Sequence, residues 1–202
     1  MRLRKPKLMH RPIFTQIESP RLLLRHFRDS DLPIFHAYRN DPELARYQSW
    51  QPPTEAQARA FIHEVKALQP GVPGEWFQFA IELKETGQLI GDCALKVDPE
   101  EPRQAEIGYT LAREHQGKGY ASEAVSTLLD YAFGALGLHR VYALVICENQ
   151  RSVALLERLG MRREAHFIQH FWHKGAWADE YQYAILESEW LNRGRQGSGE
   201  PL

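Results

Sequence analysis

Residues 105–147 constrain this chain more than any other stretch, because they read as strand, glycine loop, long helix and strand in unbroken succession. Residues 105–112 (AEIGYTLA) have strand character. After the polar segment 113–119, a helical pattern runs through Ala121, Val125, Leu128, Ala132 and Leu136 until Gly134 and Gly137 loosen and end it. Residues 141–147 (VYALVIC) form a nearly continuous apolar run of strand length, the pattern of a strand covered on both faces at the centre of a sheet. A connection this long allows a right-handed crossover, so the two strands are expected to lie parallel.

The flanking segments predict a mixed sheet around that pair. Residues 21–27 (RLLLRHF) read as a first strand. Asp29, Ser30 and Asp31 then offer a helix N-cap, and Asn40-Asp41-Pro42 a stop; Thr54 and Gln57 form a capping-box pattern that opens a second helix. Residues 76–83 and 89–97 are β-rich and joined by a turn containing Gly87, so they are expected to pair antiparallel. A short helix over 150–159, ended by Gly160, precedes two last strands, 163–173 and 177–186, around Lys174-Gly175-Ala176. The expected class is α/β, with a mostly antiparallel central sheet of about seven strands and helices on both faces.

Composition narrows the class of molecule. At 202 residues, 43% apolar and 25% charged, the chain is long enough for one well-filled core and is unlike a disordered or disulfide-framed sequence. We divide it into a basic N-terminal arm (1–17), one domain (18–190) and a polar tail (191–202). Net charge is −1, but Arg2, Arg4, Lys5, Lys7 and Arg11 concentrate positive charge in the arm. The remainder, with 20 basic against 26 acidic residues, is at −6, which argues against a broad nucleic-acid-binding face. Cys93 and Cys147 each sit in an apolar run and read as small buried hydrophobes in a reducing compartment. No apolar stretch approaches the roughly 20 residues of a membrane-spanning helix, and the N-terminus has no signal-like apolar segment, so a cytoplasmic location is expected.

The chemistry concentrates at Gln116, Gly117, Lys118, Gly119, Tyr120 and Ala121, where a strand gives way to the start of the long helix. Unpaired N–H groups and the positive helix end converge there, and glycines let a phosphate approach the backbone. A P-loop is excluded, because no GxxxxGK[ST] occurs. A dinucleotide fold is disfavoured, because the motif begins past mid-chain with too little sequence left for its alternating strands and helices.

Gln116, Gly119 and Ala121 meet the pattern Gln/Arg-x-x-Gly-x-Gly/Ala, and the chain here resembles the GCN5-related N-acetyltransferase superfamily. Residues 18–25 (ESPRLLLR), 105–109 (AEIGY), 149–152 (NQRS) and 156–161 (LERLGM) are similar to successive segments of the branch that acetylates ribosomal-protein alanines. The resemblance implies acetyl-coenzyme A in a splay between the parallel fourth and fifth strands, its pyrophosphate on residues 116–121. Its pantetheine arm would lie against Asn149 and the backbone of Tyr109, Thr110 and Leu111, one of whose N–H groups would meet the oxyanion. A splayed strand end leaves amide groups unpaired that such an arm can satisfy.

Direct acetyl transfer to an amine needs a base, an oxyanion site and a proton for the departing thiolate. Glu106, the one carboxylate in the fourth strand, shares a face with Gly108 and Thr110 and is the base candidate, with an ion-paired or substrate-orienting role as its alternative. Where many superfamily members place a tyrosine acid, this chain has Leu156, so Ser152 becomes the candidate for proton relay near the coenzyme thiol. Asn149 has a second reading as a helix N-cap. Tyr47, Trp50, Trp172 and Trp177 match positions that would line the acceptor groove. No metal is expected: among His166, His170 and His173, strand alternation puts His173 on the face opposite the other two. His115, beside the glycine loop, reads either as a phosphate contact or as a solvated side chain. The acceptor is expected to be a protein N-terminal amine, with a small-molecule amine or a non-catalytic coenzyme-binding role as alternatives; monomer and homodimer both stay open.

Overall fold

The structure is a computed structural model that describes residues 13–193. Expectations for the basic cluster before Ile13 and for the tail after Arg193 lie outside the described residues. Among the described residues, eight strands form one sheet: β1 (Gln16–Glu18), β2 (Leu22–Arg25), β3 (Trp76–Leu83), β4 (Gln88–Val97), β5 (Gln104–Leu111), β6 (Arg140–Ile146), β7 (Arg162–His173) and β8 (Ala176–Leu186). Their order across the sheet is β1-β2-β3-β4-β5-β6-β8-β7, and only the β5–β6 pair is parallel. The expected fourth and fifth strands are thus β5 and β6, joined by the long helix α4 (Tyr120–Gly134).

Helices lie on both faces. Ala124, Val125, Leu128, Leu129 and Ala132 of α4 are fully buried against Ile81, Leu95, Ala105 and Val141 in the larger core, which α5 (Gln150–Arg158) joins through Val153, Leu155 and Leu156. On the other face, α1 (Leu32–Arg39) and α3 (Glu55–Val65) set Phe35, Tyr38, Ala58 and Ile62 against Ala80 and Leu89. Each fully buried leucine or phenylalanine contributes about 1.5–3 kcal/mol. The capping box of α3 forms as its residues predict: the Thr54 N–H donates to Gln57 Oε1 at 2.8 Å and the Gln57 N–H to Thr54 Oγ1 at 3.3 Å.

Several boundaries differ from expectation. β1 overlaps the end of the segment assigned to the arm, because residues 16–18 pair with β2. Asn40 ends α1, and the next residue, Asp41, caps the one-turn helix α2 (Pro42–Ala45), accepting from the Glu43 N–H at 2.9 Å, so the stop signal is also a start. A further helix, α6 (Glu187–Asn192), runs past residue 190 because Trp190 is buried and its Nε1–H donates to Asp130 at 2.7 Å. β6 is central but not covered on both sides. Leu144 is 38% exposed.

A buried ionic cluster joins the first strands to α1. Arg25 donates from Nε to Glu82 at 2.6 Å and from both terminal nitrogens to Asp31 at 2.7 and 2.9 Å, with all three side chains nearly inaccessible. A second cluster sets Asp92 of β4 between the Tyr38 hydroxyl (2.5 Å) and Arg39 Nη2 (2.9 Å). Removing one partner of such a cluster strands a buried charge. Arg25→Met is therefore expected to lower stability by about 3–5 kcal/mol, read as a shift in the urea unfolding midpoint with unchanged slope.

Candidate active site

Pairing between β5 and β6 is confined to Gln104↔Arg140, Ala105↔Val141 and Glu106↔Tyr142. Beyond that point the two strands diverge while each keeps its outer neighbour, β5 pairing with β4 as far as Leu111 and β6 with β8 as far as Ile146. The facing edges expose backbone N–H and C=O groups to a cleft. Two glutamines reach carbonyls of β5: Gln48 Nε2 donates to Tyr109 at 3.4 Å and Gln116 Nε2 to Leu111 at 2.9 Å.

The glycine loop lies at the end of β5. Gly117 (φ 74°) and Gly119 (φ 81°) are left-handed, and Gly119 is the N-cap of α4. A Cβ on Gly117 would meet nothing within 4 Å, whereas one on Gly119 would come within 3.3 Å of Arg21. Among the described residues, nothing accepts from the N–H groups of Gly117, Lys118, Gly119, Tyr120 or Ala121. This is an anion cradle of free amides at a positive helix end. Arg21 braces it from below, donating to the Lys118 carbonyl (3.0 Å) and to Glu123 (2.6 Å) and stacking over the Tyr120 ring at 4.5 Å. Arg151, in the first turn of α5, donates to Gln116 Oε1 at 2.9 Å and so links the two walls of the cleft. His115 stands beside the loop, its ring 6.4 Å from that of Tyr120.

Glu106 occupies the last paired position before the strands part. It lies on the α1 side of the sheet, opposite Ala105 and Ile107, which enter the α4 core. Lys96 and Tyr142 are its cross-strand neighbours. Burial pushes the Glu106 pKa up, Lys96 opposing and Glu180 adding to the rise. Glu180 of β8 is itself raised by burial, against the pull of His170 and His173, and its carboxylate lies 3.4 Å from His170 Nδ1.

Ser152 and Asn149 sit across the cleft. Asn149 caps α5, accepting from the Ser152 N–H at 3.3 Å, so its capping role is realised. Leu156 is buried in the α4 core and offers no polar group. The Ser152 carbonyl accepts from the Tyr109 hydroxyl at 3.3 Å, and burial holds that phenol well above its ordinary pKa. Tyr109 was expected to contribute backbone alone. Its odd position in β5, opposite in parity to Glu106, was the available signal that its side chain points toward α5. Thr110 shares the Glu106 face and is buried opposite Asp92.

The four aromatic candidates divide into two groups. Trp172 and Trp177 form a cross-strand, edge-on pair at 5.6 Å on the β7–β8 hairpin and are 61% and 57% exposed. Trp50 packs against Arg39, whose guanidinium lies 3.7 Å from its ring, and Tyr47 lies beside Arg46. The two segments meet: His173 Nε2 is 2.8 Å from the Arg46 carbonyl, and Lys174 Nζ donates to that of Ala45.

Two sequence expectations require correction. His166 and His170 do not share a face, because an irregularity between Phe167 and Phe171, with Gln169 left-handed at φ 47°, resets the alternation. His166 faces Asp179 and His170 faces Glu180, adjacent residues that point to opposite sides of β8. Cys93 is fully buried as expected, but Cys147 lies just past the end of β6 and is only partly buried. Among the described residues, no helix is long and apolar enough to cross a membrane.

The acetyltransferase (GNAT) domain family matches residues 21–162. The N-acetyltransferase p20 of Bacillus licheniformis is 38% identical over 173 residues, covering 85% of this chain and 96% of that protein. A Bacillus subtilis protein whose name suggests a ribosomal N-acetyltransferase is 36% identical over 104 residues, 52% of this chain and 57% of its own. Among solved structures, a GNAT-family acetyltransferase from Bacillus anthracis superposes with a TM-score of 0.78 at 34% identity, over 87% of this chain and all of that one. The spermidine N-acetyltransferase of Vibrio cholerae, solved with CoA and spermine, superposes with a TM-score of 0.73 at 29% identity, over 86% of this chain and 100% of that one. The divergent parallel strands and the amide cradle between them thus accompany a family match over most of the domain, and this chain belongs to the GNAT family of acetyl-coenzyme A-dependent N-acetyltransferases.

Proposed function

We propose that this chain acetylates the N-terminal amine of a protein, with acetyl-coenzyme A held along the β5–β6 cleft. When bound, the coenzyme supplies the activated acetyl group as a thioester. The amides of residues 117–121 suit its pyrophosphate, with Gln116 shaping the loop, and the unpaired edge of Tyr109, Thr110 and Leu111 suits an amide-rich arm that Asn149 could also bond. The observation that carries the reading is the placement of Glu106 at the fork of the cleft, half-buried and accepting no hydrogen bond among the described residues.

Glu106 takes the ammonium proton, directly or through one water, and Ser152 relays a proton to the departing sulfur as the new N–C bond replaces the C–S bond. Desolvation makes Glu106 a stronger base than an exposed carboxylate. An α-amine, with a reference pKa of about 7.7–8.0 against about 10.4 for lysine, asks little of such a base. The exposed Trp172–Trp177 pair and the Tyr47–Trp50 segment that meets this hairpin suit a rim for a peptide. One observation favours a polyamine instead: Glu180 joins Glu106 in the same electrostatic neighbourhood, which suits a polycation, and a similar structure contains spermine.

Release of free coenzyme should be followed over a panel of N-terminal peptides and polyamines, and turnover confined to polyamines would overturn the N-terminal assignment. On the best acceptor, Glu106→Gln is expected to lower kcat by about 10²-fold or more. In the parent enzyme kcat rises with pH through a midpoint above the ordinary glutamate value, because only the ionised carboxylate can accept a proton and burial has raised its pKa; the Gln variant loses that limb. Ser152→Ala should cost about tenfold in kcat, the worth of one hydrogen bond of about 1.4 kcal/mol. Gly119→Ala forces a Cβ into a left-handed position beside Arg21 and should weaken acetyl-coenzyme A binding, measured by calorimetry, while Glu106→Gln leaves that binding intact.

A further inference from the structure

We propose that Cys147, His166 and Asp179 form a binding site for a zinc-class divalent cation, separate from the acetyl-transfer site. The thiol sulfur, an imidazole nitrogen and a carboxylate oxygen of these residues all lie within 4.8 Å of one another. They come from three strands that are neighbours in the sheet: Cys147 directly follows β6, Asp179 belongs to β8 and His166 to β7.

The backbone fixes each of them. The Cys147 N–H donates to the Asp179 carbonyl at 3.1 Å, which carries the β6–β8 ladder one step past the strand end. His166 is in register with Tyr181, two residues from Asp179 on the same face, and its ring packs edge-on against the tyrosine at 4.8 Å. Asp179 Oδ1 accepts from the Gln169 N–H at 2.8 Å, leaving Oδ2 3.2 Å from His166 Nε2. The left-handed Gln169 is therefore what aims the carboxylate at the histidine.

The donor set selects the ion. One sulfur, one nitrogen and one oxygen suit a borderline cation that accepts tetrahedral geometry, whereas magnesium and calcium prefer all-oxygen shells. With metal–ligand bonds of about 2.0–2.3 Å, ligand atoms in such a site stand about 3.3–3.8 Å apart, so rotation of the outermost side chains by about 1 Å completes it. His166 is exposed, which gives an entry path and room for a water as fourth ligand. A thiolate and a carboxylate balance the two positive charges. Tyr181 hydrogen-bonds the Cys147 thiol, Glu148 adds negative charge beside it, and Arg163 stacks 4.2 Å over the Tyr181 ring. The bound ion would tie the end of β6 to β8 and β7, two residues before the cap of α5.

The test uses the full chain without a polyhistidine tag and Co²⁺ as a spectroscopic stand-in. Stoichiometric Co²⁺ is expected to produce a near-ultraviolet thiolate-to-metal band and intense visible bands of a tetrahedral site, both erased by Zn²⁺. Cys147→Ser should lose the thiolate band, and His166→Ala should weaken Co²⁺ affinity about tenfold or more, with both variants showing the parent circular dichroism spectrum. Zn²⁺ should raise the melting temperature of the parent and not of the variants. Absence of the thiolate band in the parent, or equal Co²⁺ affinity in parent and both variants, would overturn the assignment by showing that cobalt either does not bind or binds on other histidines.

Discussion

The early end of β5–β6 pairing is the constraint around which this molecule is arranged. Three residue pairs hold the parallel strands together, and past Glu106↔Tyr142 each strand is retained only by its outer neighbour. Unpaired backbone is costly to bury, so a gap in the middle of a sheet persists only where water or a ligand can meet it. The surrounding structure supports the gap from outside. α4 and its core lie under β5 and β6, and the ladders to β4 and β8 keep the diverging edges from collapsing onto each other.

Around that gap, side chains brace loops that have few backbone bonds of their own. Arg21, just before β2, reaches the Lys118 carbonyl and Glu123, so the shape of the glycine loop depends on a residue about a hundred positions earlier. Gln116 and Arg151 connect the end of β5 to α5 across the mouth of the cleft. On the other face, Asp92 holds Tyr38 and Arg39 of α1, and Arg39 in turn carries Trp50, which orders the segment facing the β7–β8 hairpin. Buried ionic contacts of this kind add little net stability over an apolar alternative but penalise any other placement of their helices.

Much of this was legible from residue order alone. Periodicity located the long strands and α4, and the Thr54–Gln57 capping box located the start of α3, because these signals depend on neighbours within a few positions. The free amides of the glycine loop are local for the same reason: a strand, two glycines and a helix start define them. What failed were inferences that needed unbroken regularity or knowledge of what packs above. Leu144 reads as core but is 38% exposed, and the irregularity at left-handed Gln169 puts His166 and His170 on opposite faces. The side-chain role of Tyr109 depends on α5, whose Ser152 carbonyl lies within reach of its hydroxyl.

Residue order alone carries the mixed sheet with its parallel crossover, the glycine loop with free amides at the start of α4 and the lone carboxylate within the strand leading to it, because each of these is written in local pattern and spacing. Tertiary packing sets where the parallel strands part, places Glu106 at that fork with Glu180 in its field, and brings Cys147, His166 and Asp179 together. Those facts depend on the relative placement of strands far apart in the chain, which is set by packing and by irregularities that no residue-by-residue pattern encodes.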